Sequence, residues 1–240
     1  MDFSKLTLQT LDGLISFCPT AKQKLFLNTI TETNVSSVLT RQQGFSTVQC
    51  ISIVQHALDV PGSTSVLVTH NNRMNVLMIS RIREILVSVT SKLNLTRITK
   101  NRIELRNGSV ITMASPQNAH VSIRGIDTRK MYVAVDILLE RKNLYEMSLL
   151  IQQLIQMGIK FSIGMLLHPP RDVSKKVMKI FNVKLTLFMT MLRYNSTFVD
   201  FPVIQRPVLR GYTIDEYKQE YELFSYSVLN EDPSDQKIEP

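Results

Sequence analysis

Short apolar runs alternate along this chain with amphipathic stretches, and that alternation limits the fold more than any other feature. Residues 35–39 (V-S-S-V-L), 64–69 (T-S-V-L-V-T), 131–135 (M-Y-V-A-V) and 159–166 are brief, apolar and bounded by polar turn residues. Runs of that length and composition read as buried strands. Helical stretches lie between them, over 46–58, from Asn71 or Asn72 to about residue 93, and over 143–156. In the second of these, Met74, Leu77, Met78, Ile82, Ile85 and Leu86 recur at three- and four-residue spacing, which puts them on one helix face. Thr20 is placed to cap a further helix over 21–30, and Asp172 a short one ending near Ile180. Asn107-Gly108 between alternating runs at 102–105 and 109–113 predicts a hairpin. Strands alternating with helices give an α/β fold, a mostly parallel sheet covered on both faces. Such sheets bind ligands at the carboxyl ends of their strands.

Two stretches fall at such ends. The first is V-S-S-V-L-T-R-Q-Q-G-F-S-T-V-Q, residues 35–49, a strand, a polar turn and a helix start. Backbone N–H groups and the positive end of the helix dipole make that geometry an anion site. Gly44 allows close approach of the backbone, Arg41 adds charge, and Ser46 and Thr47 offer hydroxyls. A full phosphate loop reads G-x-x-x-x-G-K-[ST]. Here Leu39 and Phe45 replace its first glycine and its lysine, so Gly44 and Ser46 are what match. An ordinary strand-turn-helix capped by Ser46 would use the same residues. The second stretch is the strand at 131–135, which closes on Asp136, a carboxylate suited to holding Mg²⁺. The two ends are expected on adjacent strands.

Composition narrows the setting. A chain of 240 residues, 44% apolar and 20% charged, can hold one large α/β domain, alone or with a small appendage. Cys18 and Cys50 are too few for a disulfide scaffold and fit a reducing compartment. His56, His70, His120 and His168 are scattered and give no zinc spacing. No run approaches the roughly 18 apolar residues of a membrane span, and the N-terminus has no secretory pattern. No G-x-S-x-G occurs and neither cysteine has a His near it in sequence, so nucleophile chemistry has no support. The formal charge of +8 suits a nucleic acid or another anionic partner.

Taken in order, T-R-Q-Q-G-F-S-T, V-L-V-T-H-N-N-R, R-I-E-L-R-N-G-S-V-I-T-M-A-S-P-Q-N-A-H-V-S-I-R-G and M-Y-V-A-V-D resemble the ATPase domain of tailed-phage large terminases, the motors that pump DNA into capsids. The resemblance covers roughly residues 15–172. That family's phosphate loop is similar to S-R-Q-x-G-K-[ST]-[ST]. The resemblance implies a P-loop NTPase-like core over residues 1–190 and a small linker-type subdomain over 191–230; residues 231–240, acidic and proline-containing with a single apolar residue, are expected to form a flexible tail. It also implies ATP and Mg²⁺ as cofactors. Gln23 would read adenine. Arg41, Gln42, Gly44, Ser46, Thr47 and Arg124 would line the nucleotide, and Ser46 and Asp136 would hold the metal.

The chain departs from the pattern at the positions that do the chemistry. Phe45 stands where the lysine should meet the β- and γ-phosphates, and Ile137 stands where a glutamate should activate water. The strand ending at 166–169 lacks the threonine-rich coupling motif, and no nuclease domain follows. Glu140 is the next carboxylate after Asp136, and reaching the site would require a tight bend. Arg129, Lys130 and Arg171 are candidates to replace the lost charge. The expectation is a viral DNA-packaging or virion-assembly module with nucleotide binding weak or lost and no catalytic residue. It would contact packaging or virion proteins and double-stranded DNA, in the host cytoplasm or virion and away from membranes. The alternative is an active packaging ATPase with displaced catalytic groups and its nuclease on another chain.

Overall fold

The computed structural model of the chain describes residues 7–10, 13–16, 19–39, 44–90, 95–123, 127–167 and 174–199. The chain divides into two units, Met1–Asp200 and Phe201–Pro240. The second unit, with most of the expected linker subdomain and the whole acidic tail, lies outside the described residues.

In chain order the elements are β1 (Thr7–Thr10), β2 (Gly13–Ser16), α1 (Ala21–Glu32), β3 (Val35–Leu39), α2 (Phe45–Asp59), β4 (Thr64–Thr69) and α3 (Asn72–Val89). There follow β5 (Leu95–Ile98), β6 (Arg102–Leu105), β7 (Val110–Ala114), α4 (Pro116–Ser122), β8 (Met131–Leu139), α5 (Leu144–Gln156), β9 (Lys160–Leu167), α6 (Lys175–Asn195) and β10 (Thr197–Phe198). β1 and β2 form an antiparallel hairpin. The other strands make one sheet in the order β10-β3-β9-β8-β4-β7-β6-β5. It is parallel from β10 to β7, and the β6–β7 and β5–β6 pairs are antiparallel. This is the expected mostly parallel α/β sheet, with β9 inserted between the two strands whose ends carry the candidate site. Ser46 therefore follows β3 and Asp136 lies in β8, strands that are not neighbours, contrary to the expected adjacency.

Connection handedness decides which helices share a face. From β3 through α2 to β4, and from β4 through α3 to β7, the chain moves one way across the sheet. From β8 through α5 to β9, and from β9 through α6 to β10, it moves the other way. Right-handed crossovers then put α2 and α3 on one face and α5 and α6 on the other. The contacts agree: α2 packs on β4 and β8 and against α1 and α3, while α5 packs against α4 and α6.

Local signals account for most boundaries. Thr20 and Gln23 form a reciprocal capping box at α1. Asn71 caps α3 by accepting from Met74 N–H at 3.0 Å. Three expected boundaries change. Helix α3, expected to run to about residue 93, ends at Val89, with Thr90 as its C-cap donating its N–H to the Leu86 carbonyl. The helix expected to end near Ile180 is α6, capped by Ser174 and running to Asn195 because Phe181, Leu185, Phe188, Met189 and Leu192 sustain a buried face at helical spacing. Its proposed cap Asp172 lies outside the described residues. The strand expected to end at Val135 continues in register along β9 to Leu139. The hairpin β1–β2, strand β5 and helix α4 had no clear pattern in the sequence; β5, with Thr96, Arg97 and Ile98 exposed, is an edge strand with little hydrophobic signal.

Candidate functional site

At the carboxyl edge, the strand register places Ser37 of β3, Gly164 of β9, Asp136 of β8 and Thr69 of β4 in one row. Residues paired across parallel strands point to the same face. Here that is the face of α2 and α3: Ser46 of α2 hydrogen-bonds the Asp136 carboxylate, and Thr69 Oγ1 donates to Asn75 Oδ1 of α3 at 2.7 Å. Sequence-distant Ser46 and Asp136 are thus brought into contact across the intervening strand.

Asp136 is half-buried as a residue, yet its Oδ2 is sealed from solvent with no hydrogen-bond partner among the described residues. Burial pushes its carboxyl above the usual carboxylate range, and the Ser46 hydrogen bond pulls the other way. A sealed carboxylate oxygen lacking a partner, beside a hydroxyl, is a pair of hard oxygen donors that fits Mg²⁺. That ion takes one or two protein ligands and completes its shell with water and phosphate. The described residues contain no cluster of three or more His, Cys, Asp or Glu able to hold a metal alone.

The turn before α2 is built on Gly44, which has φ 68° and ψ 15°, a left-handed conformation that favours glycine. A β-carbon there would also come within 3.1 Å of Gln23 Nε2, so Gln23 lies directly against the turn. Gln23 itself is buried: its Oε1 accepts from Thr20 N–H at 2.9 Å, and its own N–H donates to Thr20 Oγ1 at 3.3 Å. Ser46 is not the helix cap, since no side chain caps α2. Thr47 is half-buried in the first turn. Arg41, Gln42 and Arg124 lie outside the described residues.

Phe45 is drawn into the core over the row that holds Asp136. It is 4% exposed, and its ring packs edge-on against Phe26 of α1, with centroids 4.9 Å apart and planes at 78°. The ring lies over Gly164. A β-carbon there would run into Phe45 Cε1 and Cδ1 and lie 2.5 Å from Cζ. The reason is hydrophobic: an aromatic ring gains more by filling the gap above a glycine than by facing a polar turn. Phe45 is therefore a core side chain and puts no charge at the start of α2.

Ile137 is 3% exposed and, one residue on from Asp136 along a regular strand, points to the opposite face. The regular β8–β9 register also removes the bend that Glu140 would need. Glu140 sits past the strand end, ion-paired with Lys142 at 2.7 Å. Arg129 and Lys130 precede the first residue of β8 and so lie at the opposite edge of the sheet, about 20 Å from Asp136 at the rise of an extended strand. There Arg129 pairs with Asp127 and Lys130 Nζ donates to the Pro61 carbonyl. Neither replaces the missing charge at this site, and Arg171 lies outside the described residues.

Sequence reasoning missed the support beneath the site. Gln49, one helical turn after Ser46, is fully buried. Its Nε2 donates to the Val135 carbonyl at 3.0 Å and its Oε1 accepts from Ser162 Oγ at 2.7 Å. Tyr132 hydrogen-bonds both Ser162 and Ser52 in the same network. These bonds tie α2 to β8 and β9 directly below Asp136, and the signal for them was a glutamine on an otherwise apolar helix face. His70, which has no metal-ligand spacing in the sequence, also lies beside the site. It follows Thr69, the register partner of Asp136, and its Nδ1 is sealed without a hydrogen-bond partner among the described residues.

No family model matches the chain, and no curated protein matches it either. Among solved structures it is similar to the large terminase ATPase domain of Thermus phage P74-26, at 13% identity and a TM-score of 0.50, over 91% of this chain and 90% of that one. An arginine-to-alanine mutant of the same domain aligns at 12% identity and a TM-score of 0.48, with the same coverage. The 13% match shows a shared fold: this chain has the architecture of a large terminase ATPase domain.

Proposed function

We propose that this chain is a terminase-like module of a viral DNA-packaging or virion-assembly machine that has lost catalysis and acts by binding protein or DNA. The observation that carries the reading is the fate of Phe45 and Ile137. Both are core residues, and each occupies the position in sequence where a P-loop motor needs a working polar group. An arginine finger's charge is worth about 10³–10⁵ in phosphoryl-transfer rate, and a general base about 10²–10⁴. Loss of both a phosphate cation and a base leaves little turnover. The fold, the +8 charge and the exposed Arg97, Lys100, Arg102 and Arg106 along β5 and β6 support DNA and packaging proteins as partners, in the host cytoplasm or virion. No described helix is long and apolar enough to cross a membrane.

One observation favours a second reading, an active packaging ATPase with displaced groups. The Ser46–Asp136 pair and the sealed Asp136 oxygen are the metal-holding half of such a site, and a cation and base from another chain would complete it. When bound, Mg²⁺ would neutralise phosphate charge; Ser46 and Asp136 would orient it. ATP turnover by the full chain, with and without DNA, separates the readings. We expect weak Mg²⁺-dependent nucleotide binding and no hydrolysis above background. Turnover near ~1 s⁻¹ or faster that disappears in Asp136→Ala would establish the second reading instead.

A further inference from the structure

Helix α6 carries two apolar stripes, and the described residues cover one of them. Phe181, Leu185, Phe188, Met189 and Leu192 are buried. Ile180, Val183, Leu187 and Tyr194 are exposed, Leu187 at 66% and Tyr194 at 85%. At about 100° per residue these four fall within about 60° of one another, on the side of the helix away from the buried stripe. Single exposed leucines need no explanation, but a stripe repeating at three, four and seven residues does. That repeat is the spacing by which one helix seats against another.

Charge indicates what the second helix must be. The polar positions of α6 include Lys175, Lys176, Lys179, Lys184 and Arg193, all exposed, and the helix has no acidic residue. By their angular positions Lys179 and Lys184 flank the apolar stripe on its two sides, and Lys176 extends it at the N-terminal end. A second copy of α6 would bring one basic rim against another. We propose that the outer face of α6 is a docking surface for an acidic amphipathic helix of a partner protein, with Val183 and Leu187 as anchors and the flanking lysines setting charge specificity. This goes beyond the fold's candidate nucleotide site and does not depend on it.

The test uses the full chain and two fluorescein-labelled designed helices with leucines at the a and d positions of a heptad. One has glutamates at e and g, and its twin has lysines there. We expect the acidic helix to raise fluorescence anisotropy in a saturable way, with affinity falling as salt rises from about 0.05 to 0.5 M, and the basic twin not to bind. Val183→Ser with Leu187→Ser should weaken binding at least about tenfold, and Lys184→Glu should weaken binding of the acidic helix and flatten its salt dependence. Both variants change exposed side chains, so their thermal melts should match the parent. No binding of the acidic helix, equal binding of the two helices, or unchanged affinity in the double variant would overturn the proposal. So would Leu187-dependent capture by phosphatidylglycerol vesicles without peptide binding, which would make the face a lipid surface. A Leu187-dependent dimer in light scattering would overturn it too, by making the face a contact between copies.

Discussion

Gly164→Ala tests the placement of Phe45, on which the reading of the site depends. In a strand interior, glycine is normally worse than alanine by about 0.5–1 kcal/mol, so the change alone should stabilise the chain. Here the new methyl group would meet the Phe45 ring on three carbons, and that ring is backed by Phe26 at 4.9 Å. Normal carbon contacts are about 3.5–4.0 Å, so the ring must move by more than an ångström in a region with no free side. Overpacking of this kind costs about 1–3 kcal/mol, and we expect Gly164→Ala to lower stability by about 2 kcal/mol. Phe45→Ala should cost about 3–5 kcal/mol by leaving a cavity. In the Phe45→Ala background the clash is gone and the added methyl group partly fills the cavity, so Gly164→Ala should there be neutral or stabilising. The expected coupling is about 2–3 kcal/mol, read from urea unfolding of the four proteins by circular dichroism. Additive costs, or Gly164→Ala within about 0.5 kcal/mol of the parent, would mean that the ring lies elsewhere and that Phe45 is not packed over Gly164.

Further expectations concern ionisation and buried polarity. Burial disfavours the ionised form of Asp136, so its contribution falls as pH rises through the ordinary carboxylate range; Asp136→Asn should raise the urea midpoint at about pH 7 while abolishing any Mg²⁺ dependence of nucleotide binding. His56 is pushed down to about 4, first by burial and then by Lys160, from an ordinary 6.5. Below about 6.5 the unfolded chain takes up the proton and the folded chain does not, so stability present above that pH is lost down to about pH 4. The loss is at most roughly 3 kcal/mol and less after screening of the solvent-facing part of the ring; unfolding at about pH 7 and about pH 4.5 should show this dependence shrinking in His56→Gln. Tyr132→Phe removes the hydroxyl shared by Ser52 and Ser162 and should cost about 1–2 kcal/mol of unfolding free energy, with no change in the far-ultraviolet spectrum.

Fold class, five of the six strands of the parallel core (all but β10) and most element boundaries were legible in the chain because they rest on local physics. Period-2 and period-3.6 patterns, the Thr20–Gln23 capping box, the Asn71 cap and the Asn107-Gly108 turn each act within a few residues. The ordered motifs also pointed to the terminase ATPase architecture that the structural match displays. Elements with weak local signals were not legible: the short hairpin β1–β2, the exposed edge strand β5, and the length of α6 past Ile180, which its buried partners sustain. Tertiary structure decided the geometry of the site. Nothing near Ser46 in sequence says that it meets Asp136 across an intervening strand, since that depends on strand order. Nothing near Phe45 says that Gly164, more than a hundred residues on, leaves the space that draws the ring into the core. Side-chain identity sets what chemistry a position could do, but long-range packing sets where each group ends up, because burial free energy depends on neighbours that only folding supplies.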